Sequence, residues 1–466
     1  MLRVAVVGSG PSGIYTAQSL VQQQEVPDVT VDVLDRLPCP YGLVRYGVAP
    51  DHEKIKSLQN SLRTVLEHPR VNFLGHVHIG AGGLAPERLR ELYHAVVYCV
   101  GAAADRRLGI PGEDLPGSFS ATEFVSWYSA HPDSAADGFV LGARSAVVIG
   151  AGNVAVDVAR ILARGADELR PTDVPSGALG ALADSRIRDV HMVARRGPSQ
   201  AKFTTKELRE LGGLPGADVV VRPEELALDP AFADPAGLPA AARRNVEVLR
   251  EWSGRRPAGR ARRIHLRFFL RPVALAAQPD GGPDNGPGSW PDGAPVGSVR
   301  FERTAPDGRG GVTGTGVHED IGAQLVLRSV GYRGLPLPGL PFDADSGTVP
   351  HFEGRVLRDG VPSPGEYVAG WIKRGPTGVI GTNRPCAKQT AASVLADAAN
   401  LVRRRPLPGD PQEGLRALGQ EPVEWPGWLG IEAAEAALGR SLGRTTVKIP
   451  DWAGLLDAAH EVSETL

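Results

Sequence analysis

An α/β fold with two doubly wound, three-layer units is what three features of the 466-residue chain predict. Gly8-Ser9-Gly10-Pro11-Ser12-Gly13 stands directly behind the apolar run Leu2–Val7. Gly150-Ala151-Gly152-Asn153-Val154-Ala155 stands directly behind Ala146–Ile149. At each place a buried strand must turn into a helix, and the free N–H groups and dipole of that helix end favour an anion. The third feature is the return of strand-and-helix patterning at Tyr367-Val368-Ala369-Gly370-Trp371, which reads as a last αβ unit of the first domain. The second domain is therefore expected as an insertion into the first.

The opening βαβ unit is read as strand Leu2–Val7, helix Pro11–Gln23 and strand Thr30–Leu34, the usual span of about 30 residues. Residues 37–52 contain Pro and Gly and read as irregular. A helix is expected near Glu53–Glu67, then short strands near Val71–Leu74 and His76–Ile79. The run His94–Gly101 has the length and apolar content of a buried parallel strand. Gly109–Pro116 is rich in Gly and Pro, which places a crossover there. The second domain is read as strand Ser145–Ile149, helix Asn153–Arg164, strand Val190–Val193 and a return strand Gln324–Val330. A helix near Pro385–Val402 completes the last unit. The expected domains are 1–106 with 325–466, discontinuous, and 107–324, inserted. Residues 279–296 are too rich in Gly, Pro and Asp to bury a core and read as a solvated loop, with a functional lid as the alternative. The segment beyond Arg403 carries no legible role.

Composition narrows the class of protein. With 42% apolar and 22% charged residues the chain reads as globular, and a net charge of −2 gives no global reason to expect nucleic acid or membrane as partner. No apolar run approaches the roughly 20 residues of a membrane span. Met1 leads straight into the first strand, leaving no room for a cleavable signal, so a cytoplasmic location is expected. Cys39, Cys99 and Cys386 form no C-x-x-C, which argues against a redox disulfide, an iron–sulfur cluster or a structural zinc; no metal ligand is assigned.

What each Rossmann-like fingerprint holds is decided at the end of the strand that follows it. Asp35 lies at the end of the second strand, placed to accept hydrogen bonds from a ribose diol and to repel a 2′-phosphate, which suits FAD or NAD. A fingerprint at the start of a long, split domain is the usual FAD arrangement. The equivalent strand of the second unit ends in Arg195-Arg196, whose guanidinium forks match phosphate oxygens and favour NADP. Gly8, Gly10, Pro11, Ser12 and Gly13 are thus expected at FAD, and Gly152, Asn153, Val154 and Ala155 at NADP. Leu43 is a candidate to cover the flavin. Ile79 offers backbone to the adenine, or is plain core. Gly375-Pro376-Thr377-Gly378 leads toward a helix whose N-terminus would stabilise negative charge on a reduced ring.

The chain resembles the ferredoxin/adrenodoxin–NADP reductases of the glutathione-reductase-like fold, especially actinobacterial ferredoxin–NADP reductases. The likeness spans residues 1 to about 400. It rests on GSGPSGIYTAQ, CPYGLVRYGVAPDH, IPGEDLPGS, GAGNVAVDVARIL, RRGPSQAKFTTKELREL, SVGYRG and GWIKRGPTGVIGTN. The resemblance implies FAD contacts at Ser12, Asp35, Leu43, Ile79, Trp371 and the turn Gly378-Val379-Ile380. It implies NADP contacts at Gly152–Ala155, Arg195, Arg196, Glu207 and Gly378, the last shared because nicotinamide must stack near the flavin. Asp35 stands where relatives carry Glu, one methylene shorter, and the GTNRPCAKQT continuation is less acidic than is common. His52 and Asp157 correspond to a polar pair assigned to proton handling; read alone, they are equally a helix-capping residue and a helix-dipole partner.

The implied reaction is hydride transfer between NADPH and FAD, followed by single-electron transfer to a ferredoxin-type iron–sulfur protein. Such carriers are acidic, so a basic docking surface is expected. Arg243, Arg244, Arg250, Arg255, Arg256, Arg260, Arg262, Arg263, Arg267 and Arg271 face only Glu247 and Glu251 in sequence. Docking of ferredoxin and a plain solvated face both fit that run, while no stacking platform supports nucleic acid. An NADPH-dependent flavin oxidase or monooxygenase, and a non-catalytic FAD-binding redox module, are the competing functions.

Overall fold

The computed structural model describes residues 1–135, 138–139, 141–278, 294–404, 407 and 409–463. The chain divides into two compact units: Met1–Ala104 with Ser129–Asp133 and Tyr332–Leu466, and Asp105–Tyr128 with Ser134–Gly331.

In the first unit, Leu2–Val7 lies in parallel between Val29–Leu34 and Ala95–Tyr98, with Val4 opposite both Val31 and Ala95. The sheet extends through Val71–Gly75 on one side and Val361–Val368 on the other. Both faces of the first strand are covered, as an inner parallel strand requires. Val4 and Val6 pack with Ile14, Leu20, Ala387 and Val394, so the fingerprint helix Pro11–Val21 and the late helix Asn383–Arg404 share one face. Ala5 and Val7 turn the other way, to Leu34, Tyr98, Val368 and Ile372. The last αβ unit, read at Tyr367, thus completes the first sheet across a long insertion.

The second unit has a six-stranded parallel sheet in the order Ser118–Ser120, Leu325–Arg328, Ser145–Ile149, Asp189–Val193, Arg262–Arg267, Ala217–Val221. One face packs Ala146, Val148 and Val190 under the helix Asn153–Ala163. The other packs Val147, Ile149 and Val193 on a three-stranded antiparallel sheet through Leu270, Val299 and Phe301. Helix, parallel sheet and antiparallel sheet make the three layers.

Several expectations shift. The second unit runs to Gly331 rather than 324, because Leu325–Arg328 is hydrogen-bonded between Ser118–Ser120 and Ser145–Ile149. Its first boundary lies at 104/105, and Ser129–Asp133 returns to the first unit, where Asp133 pairs with Arg36 at 2.5 Å and accepts from Trp452 Nε1 at 2.9 Å. The expected helix 53–67 is broken into Glu53–Lys56 and Leu58–Leu66. Residues 76–79 form no strand; only an isolated bridge joins Ile79 to Leu84, since His76 takes a positive φ of 59°. Most of the Gly/Pro-rich stretch, 279–293, lies outside the described residues, and Val296 already begins a strand.

The segment beyond Arg403 has a place. Val423–Glu424 adds an antiparallel edge to Val71–Gly75, and the helices Trp425–Ser441 and Trp452–Ser463 follow. From that tail Glu435 pairs with the buried Arg45 at 2.6 Å, while Lys448 Nζ donates to the Arg45 carbonyl at 2.6 Å. The tail therefore pins the loop that carries Tyr41, Gly42 and Leu43.

Candidate functional site

Each fingerprint opens on a glycine whose turn leaves no room for a side chain. At Gly8, with φ +110°, a Cβ would stand 2.6 Å from the Cys99 carbonyl oxygen. At Gly13 it would stand 1.8 Å from the Gly8 carbonyl oxygen. Gly42, from the 39–52 loop, approaches so closely that a Cβ there would lie 2.9 Å from the Gly10 Cα. The helix starts at Pro11 with Gly10 as N-cap and no side-chain cap, so its first-turn N–H groups have no side-chain acceptor.

Around this turn the structure collects residues from distant parts of the first unit. Gly370 takes a φ of +77°, and a Cβ on it would meet Ser12 Oγ at 2.4 Å. Ser12 Oγ is buried without an oxygen or nitrogen partner, beside the Cys99 thiol. Trp371 Nε1 is likewise buried and unpartnered, its ring 5.3 Å from that of Tyr332. Two orphaned buried donors beside an uncapped helix start fit a polar group that no protein atom supplies. Leu43 and Val379 are exposed apolar side chains, 42% and 62% accessible, and Gly378 turns at φ +84° just before Ile380 opens a single 3₁₀ turn.

Asp35 is held within its own turn. Its Oδ2 accepts from Ser9 N at 2.7 Å and Ser9 Oγ at 2.6 Å, and its Oδ1 accepts from Leu37 N at 2.9 Å. The shorter side chain is folded onto its own cradle, which leaves little acceptor capacity for a ribose. Burial raises its pKa above the ordinary aspartate value, against the lowering effect of those three bonds. Ile79 is buried in the apolar core, but the 76–79 segment runs beside Asp35, whose carbonyl accepts from Val77 N at 2.8 Å.

In the second unit Gly150 has its Cβ position 2.2 Å from the Ser329 carbonyl oxygen, and Gly152 is the uncapped N-cap of the helix Asn153–Ala163. Ala155 is fully buried, which explains a small residue at the third fingerprint position. The Ala151 carbonyl accepts from Lys202 N at 2.7 Å, and Asn153 Oδ1 accepts from Thr204 N at 2.8 Å. The turn and the 195–211 segment are thereby one structure. Arg195 is exposed and Arg196 half-buried, and neither guanidinium has a partner among the described residues. Their backbone is held: Thr304 Oγ1 donates to the Arg195 carbonyl at 2.8 Å. Gly197 is obligatory, since a Cβ would stand 2.5 Å from Asp229 Oδ2. Glu207 is buried in a capping exchange with Thr204, whose Oγ1 lies 2.6 Å from Glu207 Oε2.

His52 and Asp157 belong to different units. His52 is buried at the N-cap of Glu53–Lys56 with no side-chain cap bond, and Asp157 accepts from the buried Arg160 at 2.7 Å.

The relatives fit this geometry. Residues 2–210 match the model of the pyridine nucleotide-disulphide oxidoreductase family. The NADPH-ferredoxin reductase FprA of Mycobacterium tuberculosis is 43% identical, the alignment covering 97% of this chain and 98% of that protein. The mitochondrial NADPH:adrenodoxin oxidoreductase of Arabidopsis thaliana is 39% identical over 98% of this chain and 95% of its own. The chain belongs to the NADPH-ferredoxin and NADPH:adrenodoxin reductase family. The structure of Mycobacterium tuberculosis FprA in complex with NADPH superimposes on this reductase with a TM-score of 0.89 at 42% identity, covering 98% of this chain and 99% of the other.

In this reductase the arginine-rich run is dispersed by the fold. Seven of its ten arginines have partners: Arg250 on the Phe232 carbonyl, Arg255 on Glu251, Arg260 on the Ala217 carbonyl, Arg262 on the Arg164 carbonyl, Arg263 on Asp189, Arg267 on Glu225 and Glu319, and Arg271 on Glu302. Arg267 is buried and Arg262 half-buried, while the other eight are exposed. Sequence reading missed Gly370 and the Glu435–Lys448 clasp; the glycine between Ala369 and Trp371 was the one available signal.

Proposed function

We propose that this reductase is an FAD-dependent NADPH:ferredoxin oxidoreductase that passes electrons between NADPH and a ferredoxin-type iron–sulfur protein. The observation that carries the reading is the contrast between two glycine-forced cradles, one followed by a carboxylate and one by two unpartnered guanidiniums. FAD, when bound, supplies the chemistry: it takes two electrons as hydride and releases them singly.

The protein's residues bind, orient and exclude water. The first-turn N–H groups after Gly10 and the buried Ser12 hydroxyl hold the FAD pyrophosphate. Trp371, Gly378, Val379 and Ile380 frame the flavin, Leu43 covers it, and Ile79 offers backbone to the adenine. In the second unit Gly152, Asn153, Val154 and Ala155 receive the NADP pyrophosphate, Arg195 and Arg196 fork its 2′-phosphate, and Glu207 orders the loop beside it. His52 and Asp157 handle the proton that accompanies reduction. Burial pushes the Cys39 and Cys99 thiols up to about 11 and about 12, so neither is a thiolate near neutrality and electrons leave without a dithiol relay. Among the described residues no helix is long and apolar enough to cross a membrane, and three free cysteines accord with the reducing cytoplasm where we place the protein.

The test is anaerobic stopped-flow mixing of the purified protein with NADPH and a ferredoxin. Rapid bleaching of flavin absorbance, followed by ferredoxin-dependent reoxidation, is expected. Bleaching that reverses only with oxygen would instead make the protein an oxidase, and colourless protein that takes up no FAD would end the reading.

A further inference from the structure

At the opposite end of the second unit's sheet lies a cleft of about 540 Å³ lined by Arg144, Ser185, Arg186, Arg188 and Arg262. Register builds it. Ser145 stands opposite Asp189, and Asp189 opposite Arg263, on three adjacent parallel strands. The residues one step earlier, Arg144, Arg188 and Arg262, therefore form a row across the N-terminal edge, with strands about 4.8 Å apart. Strand alternation puts this row on the helix-covered face, and Arg186, two residues before Arg188, joins it. Asp189 turns to the other face, where Arg263 at 2.9 Å and His265 at 2.7 Å take it.

Glu168 acts on Arg262 from the neighbouring helical segment, and its carboxylate is engaged by Arg164 Nε at 3.4 Å. The guanidiniums of Arg144, Arg186 and Arg188 have no partner among the described residues. Arg262 Nη1 is fixed on the carbonyl of Arg164 at 2.5 Å, at the C-terminal end of the helix Asn153–Ala163. Burial lowers the Arg262 pKa from the ordinary arginine value, with Arg188 adding to the effect and Glu168 opposing it. The backbone is rigid, since Arg188 N donates to the Arg144 carbonyl at 2.8 Å and Arg263 N to the Arg188 carbonyl at 2.7 Å. The volume is that of a small-molecule site.

We propose that this cleft binds a compact anion carrying two or more phosphates, separate from the NADP site. The fingerprint turn follows the other end of Ser145–Ile149, and that five-residue strand is about 16 Å long, too far for one nucleotide phosphate group to serve both. Forked guanidiniums in a fixed row suit successive phosphates rather than a single carboxylate. Among the described residues no aromatic ring lines the cleft, so the phosphate chain and not a base is recognised.

Calorimetric titration of the full-length holoenzyme with sodium tripolyphosphate, at constant ionic strength and saturating NADP⁺, tests this. Saturable one-to-one binding is expected, weakened about tenfold or more in Arg144→Gln/Arg188→Gln, whose exposed positions leave folding and NADPH-driven ferricyanide reduction unchanged. Equal affinity for a nucleoside triphosphate supports recognition of the phosphates alone, and a clear preference for it overturns that recognition, since a base would then be read. Absence of saturable binding, or equal binding by the double variant, overturns the proposal. So does a raised KM for ferredoxin in that variant without any tripolyphosphate binding, which would make the row a docking patch for an acidic protein.

Discussion

The two cradles of this reductase share a strand, a glycine turn and an uncapped helix start, yet they treat the end of the next strand in opposite ways. In the first unit the acidic residue there, Asp35, is absorbed into the turn through Ser9 and Leu37. In the second the basic pair Arg195-Arg196 stays unpartnered, while only its backbone is fastened. A carboxylate within reach of N–H donors closes on them. A guanidinium, which only donates, finds no such match beside a helix N-terminus. The acidic strand end is therefore held by its own turn, and the basic one is left open.

Breaking that contrast is most severe in the first cradle. Gly13→Val places carbon against the Gly8 carbonyl oxygen, where even a Cβ stands at 1.8 Å, and should abolish retained FAD. Flavin absorbance per protein after gel filtration measures this, while NADP⁺ binding to the second unit, followed by calorimetry, should persist. Next comes the clasp that holds the Gly42 loop. Glu435→Gln leaves Arg45 charged and buried without its ion partner, which should cost about 3 kcal/mol in thermal or denaturant unfolding and release FAD first on heating. In the second cradle Arg195→Ala/Arg196→Ala removes two charge-assisted forks and should raise the KM for NADPH about 100-fold with the NADH value nearly unchanged. An unchanged ratio of the two would show that the unpartnered pair does not read the phosphate.

The effect that is smallest at neutral pH, and grows only on acidification, is a pH dependence of the second unit. Burial, reinforced by the His265 ring stacked at 4.4 Å, lowers His191 to about 4 from 6.5. The unfolded chain therefore binds a proton that the folded one refuses between about pH 6.5 and 4. Stability should fall with pH across that window by at most about 1.4 kcal/mol per unit. His191→Gln should flatten the slope in urea unfolding monitored at several pH values, and an unaltered slope would place the titration elsewhere.

Much of this molecule is legible in its order of residues. Leu2–Val7 and Ser145–Ile149 appear as strands with the bounds read from their apolar runs, because an inner parallel strand must be apolar on both faces. Both fingerprints were readable for a related reason: backbone cannot approach backbone that closely with a Cβ in the way. What misled was local. His76–Ile79 has strand composition but forms no ladder, with a positive φ at His76, and the expected 324/325 boundary cut off a strand, Leu325–Arg328, that pairs within the second unit. The ion partners of the arginine run were not legible from it, since Asp189, Glu225, Glu302 and Glu319 lie outside it in sequence.

By itself the order of residues determined two glycine turns between strand and helix, the insertion of one unit into the other and the contrast of charge between Asp35 and Arg195-Arg196. These depend on short-range sterics and on charge carried by neighbouring residues. Only the tertiary structure decided that Asp35 closes on Ser9, that Glu435 and Lys448 clasp the Gly42 loop, and that Arg144, Arg188 and Arg262 stand in one row. Those contacts join segments hundreds of residues apart or set by strand register, and a carboxylate or guanidinium acquires its role from whichever groups the fold brings within hydrogen-bond reach.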